Sequence, residues 1–182
     1  MVLNFFRKRL PERSEVYTVL GVVVFMVFGW SMWGFFYKVP SFILHFKVGQ
    51  ILAVFAYMMG VALLESLLVT LGLGLLSLLL PVGWFKNGFV YKSFITVLTG
   101  AIALLWLENT IMAFNNKLPP ADLLLTAAGI TLGAWVVLLL AFHYVKFLQN
   151  PVLFITDRVG VMAYLYIPLG ILGLIVVLIR NL

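Results

Sequence analysis

The chain contains no cysteine, and Asp, Glu, Lys and Arg together make up only 10% of its 182 residues. The first absence excludes disulfides, thiolate zinc sites, cysteine nucleophiles and a cysteine-linked lipid anchor. The second excludes an ordinary soluble domain, in which about 25% of residues are charged, because too few polar groups remain to cover a surface. Disorder is excluded as well, since it needs low hydrophobicity and high charge, whereas 64% of this chain is hydrophobic. Catalytic and nucleotide signatures are also missing. There is no HExxH, GxSxG, Walker-type or GxGxxG pattern and no N-x-S/T acceptor. The two histidines, His45 and His143, fall in separate segments, so neither a metal site nor a cofactor is read from the sequence.

What is present is apolar sequence in long runs. A membrane span needs about 20 predominantly apolar residues, with a range of roughly 17–25. Five stretches qualify: Val16–Tyr37, Val48–Leu80, Phe94–Phe114, Leu123–Phe142 with a continuation toward Phe147, and Val159–Ile179. The expected fold is all-α, a polytopic helical membrane bundle of five transmembrane helices with short loops, forming one domain. The connections carry turn residues: Lys38-Val39-Pro40-Ser41, Pro81 through Gly88, Asn115 through Pro120, and Gln149-Asn150-Pro151. The basic start, Arg7-Lys8-Arg9 with Arg13, precedes a run that is too long and too bulky for a cleaved signal. It reads as an uncleaved signal anchor.

The second stretch is interrupted only by Glu65. Cutting it there leaves two pieces too short to cross, so one long helix is expected, tilted or kinked near Gly72–Gly74. Pro119, Pro120 and Asp122 suit the start of the fourth helix, and Thr156 and Asp157 suit the start of the fifth. Pro168 should kink the fifth, and Arg180 suits its C-terminal dipole.

The net charge of +6 carries a topology signal. Five spans place Arg7, Lys8, Arg9, Arg13, Lys86, Lys92, Lys146 and Arg158 on one side, and Lys38, Lys47, Lys117 and Arg180 on the other. That is eight basic residues against four. The positive-inside rule then puts the N-terminus in the cytoplasm and the C-terminus outside, in an inner or plasma membrane. Because these cations sit between apolar runs rather than in one patch, the expected partner is lipid and not nucleic acid.

Small residues line up on two helices. Ala62, Ser66, Thr70 and Gly74 repeat every four residues, Ala56 and Gly60 form another pair, and Gly129 and Gly133 form a GxxxG. Such faces serve either intrachain packing or a seam for self-association or a partner membrane protein.

Three ionisable residues stand inside apolar sequence. Glu65 is midway along the second span, where an ionised acid costs about 2.5–3.5 kcal/mol on insertion scales. It calls for protonation and a local hydrogen bond, or for a proton-transfer, cation-binding or counter-ion role. Glu108, in Trp106-Leu107-Glu108-Asn109-Thr110, reads as an interfacial acid near the outer end of the third span. His143 reads as a dipole partner near the cytoplasmic end of the fourth. Their separate depths argue against one catalytic or metal site built from all three. Lys86 and Lys92, interleaved with aromatics, are candidates to contact headgroups.

Three functions fit these features. The foremost is a non-enzymatic accessory or assembly subunit of a membrane complex. The second is a small proton-coupled transporter or carrier using Glu65. The third is an integral-membrane enzyme acting on lipids, with Glu108 or His143 as acid or base.

Overall fold

The computed structural model describes residues 9–80, 85–115 and 117–182. Arg7 and Lys8 of the basic cluster, Pro81–Trp84 of the second connection, and Asn116 lie outside the described residues. Among those described, the chain is helical with no strand. It forms α1 (Arg13–His45), α2 (Val48–Leu79), α3 (Phe89–Ala113), α4 (Ala121–Tyr144), α5 (Lys146–Gly160) and α6 (Ala163–Asn181). All but α5 are long and apolar enough to cross a membrane, which is the architecture of a multi-pass helical membrane protein.

α1 runs past the expected turn at Lys38–Ser41 and contains Pro40. A proline inside a helix removes one backbone hydrogen bond. Here aromatic packing holds both sides of the break. Phe35 packs on Phe42 at 5.9 Å between ring centroids and on Phe55 of α2 at 5.1 Å. The turn comes instead at Phe46–Lys47, where the Lys47 N–H donates to Gln50 Oε1 at 2.9 Å. α2 then runs as a single 32-residue helix, because nothing between Val48 and Leu79 interrupts the helical pattern strongly enough to stop it.

The expected turn at Gln149–Pro151 is also helical. α5, with 15 residues, is shorter than the roughly 17 a span needs. α4 stops at Tyr144, and Gln149 Nε2 donates to the Phe142 carbonyl at 2.6 Å. Gln149 thus satisfies an orphan acceptor at the end of α4 and leaves α5 free to start a new direction. Thr156 and Asp157 therefore lie inside α5 and do not cap the last helix. α6 begins after a turn at Val161–Met162, with Met162 at its N-cap.

The contacts fall in two compact units, Met1–Val90 with Phe154–Leu182, and Tyr91–Leu153. The core of the first unit is Val24, Phe28, Met59, Ala62 and Leu63, covered by Tyr166 and Leu174 among others. Phe28 stacks on Tyr166 at 5.3 Å. α2 and α6 cross closely: a Cβ on Gly173 would stand 2.5 Å from the Ala56 carbonyl oxygen and 2.8 Å from the Gly60 nitrogen. α1 meets the end of α5 in the same way, a Cβ on Gly21 falling 2.8 Å from the Gly160 Cα. In lipid, where apolar burial drives little association, such close backbone approach supplies the dispersion contact. The N-terminal segment is tied to the end of α2, with Arg9 Nη1 donating to the Leu78 carbonyl and Ser77 Oγ donating to the Arg9 carbonyl, both at 3.0 Å.

The second unit holds most of α3, all of α4 and the first half of α5, and in it α3 and α4 run antiparallel. Tyr91 and Ile95 near the start of α3 pack with Leu139 and Phe142 near the end of α4. Trp135 Nε1 donates to Thr96 Oγ1 at 3.0 Å.

Candidate functional site

α2 has two unlike faces. On the inner face, Ala62, Ser66, Thr70 and Ser77 are buried. Ser66 Oγ donates to the Ala62 carbonyl at 2.7 Å, and Thr70 Oγ1 donates to the Ser66 carbonyl at 2.8 Å. These hydroxyls are satisfied by their own helix, which leaves a smooth small-residue surface. Gly74, the last position of that series, is half-buried with open space around it.

The opposite face is exposed and apolar, with Val61, Leu64 and Leu68 at 51%, 49% and 67% exposure. Glu65 stands among them, exposed. It has no hydrogen bond or ion pair among the described residues. It lies two residues from Leu63, which packs on Gly170 within α6, and so near the middle of the first unit. α2 carries no Lys or Arg; those of α1 and α6 are Arg13 at the start of α1, Lys38 two turns before its end, and Arg180 in the last turn of α6. The site is thus one isolated carboxylate on an apolar helix face. Chemically such a carboxylate can pair with a cation or exchange a proton.

Glu108 and His143 are both exposed and belong to the other unit. They lie at opposite ends of the α3–α4 pair, since the start of α3 packs on the end of α4. Next to Glu108, Asn109 Nδ2 donates to Leu105 and Thr110 Oγ1 to Trp106, each to a carbonyl one turn back. His143 is in the last turn of α4, its ring edge-on to Tyr144 at 5.2 Å. Among the described residues no three of His, Asp and Glu gather as a metal-ligand group.

Gly129 and Gly133 are exposed on α4, with nothing within 4 Å of an added Cβ. Lys86 is half-buried. Lys92, expected among headgroups, is only 1% exposed and sits 5.5 Å from the centroid of the Tyr91 ring. Its position in the first turns of α3, and not in the preceding loop, draws the chain there into the helix packing.

Sequence reasoning missed two clefts, because each is made where separate helices meet. One, of about 670 Å³, opens between the start of α1, the end of α5 and the start of α6. The other, of about 540 Å³, lies between the start of α2 and the end of α6 and includes Gln50, Tyr57 and Arg180. Tyr57 at its wall accepts a hydrogen bond from Asn181. Glu65 lines neither cleft. No known family model matches the chain, and no curated protein or solved structure is significantly similar to it.

Proposed function

We propose that the protein is a non-enzymatic accessory or assembly subunit that docks a partner membrane protein on the outer face of α2, with Glu65 as counter-ion to a basic residue in a partner helix. The observation that carries this reading is the exposure of an unpaired Glu65 among Val61, Leu64 and Leu68. A carboxylate there is costly against lipid. Pairing with a Lys or Arg at the same depth offsets that cost and selects the partner by charge. Glu65 lines neither of the two clefts described above, which favours docking over carriage of a solute. The membrane is an inner or plasma membrane in this reading, with the N-terminus cytoplasmic, as the eight-to-four distribution of basic residues supports.

The test is co-purification from native membranes in mild detergent. Wild type is expected to bring down a defined membrane partner, and Glu65→Lys to lose it. The reciprocal change of a basic residue to Glu in that partner should restore recovery. A partner retained equally by Glu65→Lys, or repeated recovery of a lone monomer, contradicts the reading.

A further inference from the structure

The larger cleft carries an inference of its own. α1 and α6 run in the same direction: Gly21 meets Gly160, and further along Phe28 meets Tyr166 and Gly170. Both helices therefore enter the bilayer from one side, and the cleft sits at that entry. Its lining is mixed: Tyr17, Asp157 and Tyr164 are exposed, and the apolar Leu20 and Ile167 are half-buried.

The polar end has a definite character. Asp157 is the one charged residue lining the cleft among those described, and it has no hydrogen bond or ion pair among them. Its neighbour Arg158 turns to its own helix, the guanidinium 5.3 Å from the centroid of Phe154. The hydroxyls of Tyr17 and Tyr164 are likewise unpaired among the described residues. A carboxylate with two electron-rich rings is a chemistry for a cation, since aromatic faces attract ammonium groups without fully desolvating them. The apolar end adds room for hydrocarbon.

We propose that this cleft binds an ammonium-bearing amphiphile, the ammonium at Asp157 between Tyr17 and Tyr164 and the chain along Leu20 and Ile167. The proposal runs against the field of the whole chain, whose net charge of +6 attracts anionic lipid. That opposition makes it testable.

The experiment is native mass spectrometry of the full chain in mild detergent with equimolar diacyl phosphatidylethanolamine, phosphatidylcholine and phosphatidylglycerol. The two ammonium lipids should be retained about fivefold over phosphatidylglycerol, the size of effect expected of a partly exposed cation–aromatic site. Asp157→Asn should remove the preference and Tyr164→Ala should reduce it. Both side chains are exposed, so a monodisperse elution profile is expected of each variant. Arg158→Gln should keep the preference. Millimolar ethanolamine or tetramethylammonium added to the lipid-bound protein separates the sources: displacement assigns a soluble amine to the site, and no displacement assigns a lipid. Equal retention of phosphatidylglycerol by the wild type, or an unchanged preference in Asp157→Asn, overturns the proposal. Glu65→Gln should leave the preference intact, so the cleft and the docking face fail or stand separately.

Discussion

Gly173 of α6 passes so close to Ala56 of α2 that no side chain fits between them: a Cβ would stand 2.5 Å from the Ala56 carbonyl oxygen. Gly173→Val should therefore destabilise the first unit, by about 1–3 kcal/mol if the helices can separate and more if they cannot. Gly74→Ala, at a position with open space, should have no such effect. Thermal unfolding in detergent, followed for both variants, gives the comparison. Equal midpoints would mean that this crossing does not hold the unit together.

The hydrogen bond from Trp135 to Thr96 joins α4 to α3 in the second unit at 3.0 Å. Thr96 also donates to the Lys92 carbonyl at 2.8 Å, so its hydroxyl is placed by its own helix and receives the indole proton. Interhelical hydrogen bonds in membrane proteins are worth about 0.6 kcal/mol on average and about 1.7 at most. A double-mutant cycle of Trp135→Phe and Thr96→Val should return a coupling in that range. Strict additivity would contradict the bond.

Ser93 Oγ is buried with no hydrogen-bond partner among the described residues. Leaving a buried hydroxyl unsatisfied costs about 1–3 kcal/mol, so Ser93→Ala should be neutral or stabilising. A loss of stability in chemical denaturation would reveal a partner for that hydroxyl.

Much of this architecture was legible from the apolar runs. α2 was readable as one helix because cutting it at Glu65 leaves no piece long enough to cross, and it does run from Val48 to Leu79. The inward stripe of Ala62, Ser66 and Thr70 was readable from four-residue spacing. Pro40 and the Gln149–Pro151 segment mislead because turn chemistry is outweighed by contacts beyond the turn itself, one distant in sequence and one two helical turns back. Phe55 steadies α1 across Pro40, and the Gln149 amide answers the Phe142 carbonyl. Thr156 and Asp157 looked like caps because nothing local shows that Val152, at 7% exposure, anchors a separate helix. The cleft was invisible for the same cause. Tyr17, Asp157 and Tyr164 come from three helices and share no spacing.

The proposed orientation predicts the response of reporter fusions. A fusion at Lys117 should report the outside and one at Arg158 the cytoplasm, as eight of the twelve basic residues favour. A cytoplasmic signal at Lys117 would reverse the arrangement.

In the proposed role Glu65 stands bare in the isolated chain and is covered in its native complex. A hydrophobic carbodiimide, which modifies accessible carboxyls in apolar surroundings, reads this directly when peptide mass spectrometry locates the adduct. Glu65 should be modified in the purified chain, protected in native membranes, and modified again when the co-purifying partner is deleted. Equal modification of Glu65 in native membranes and in the purified chain would contradict it.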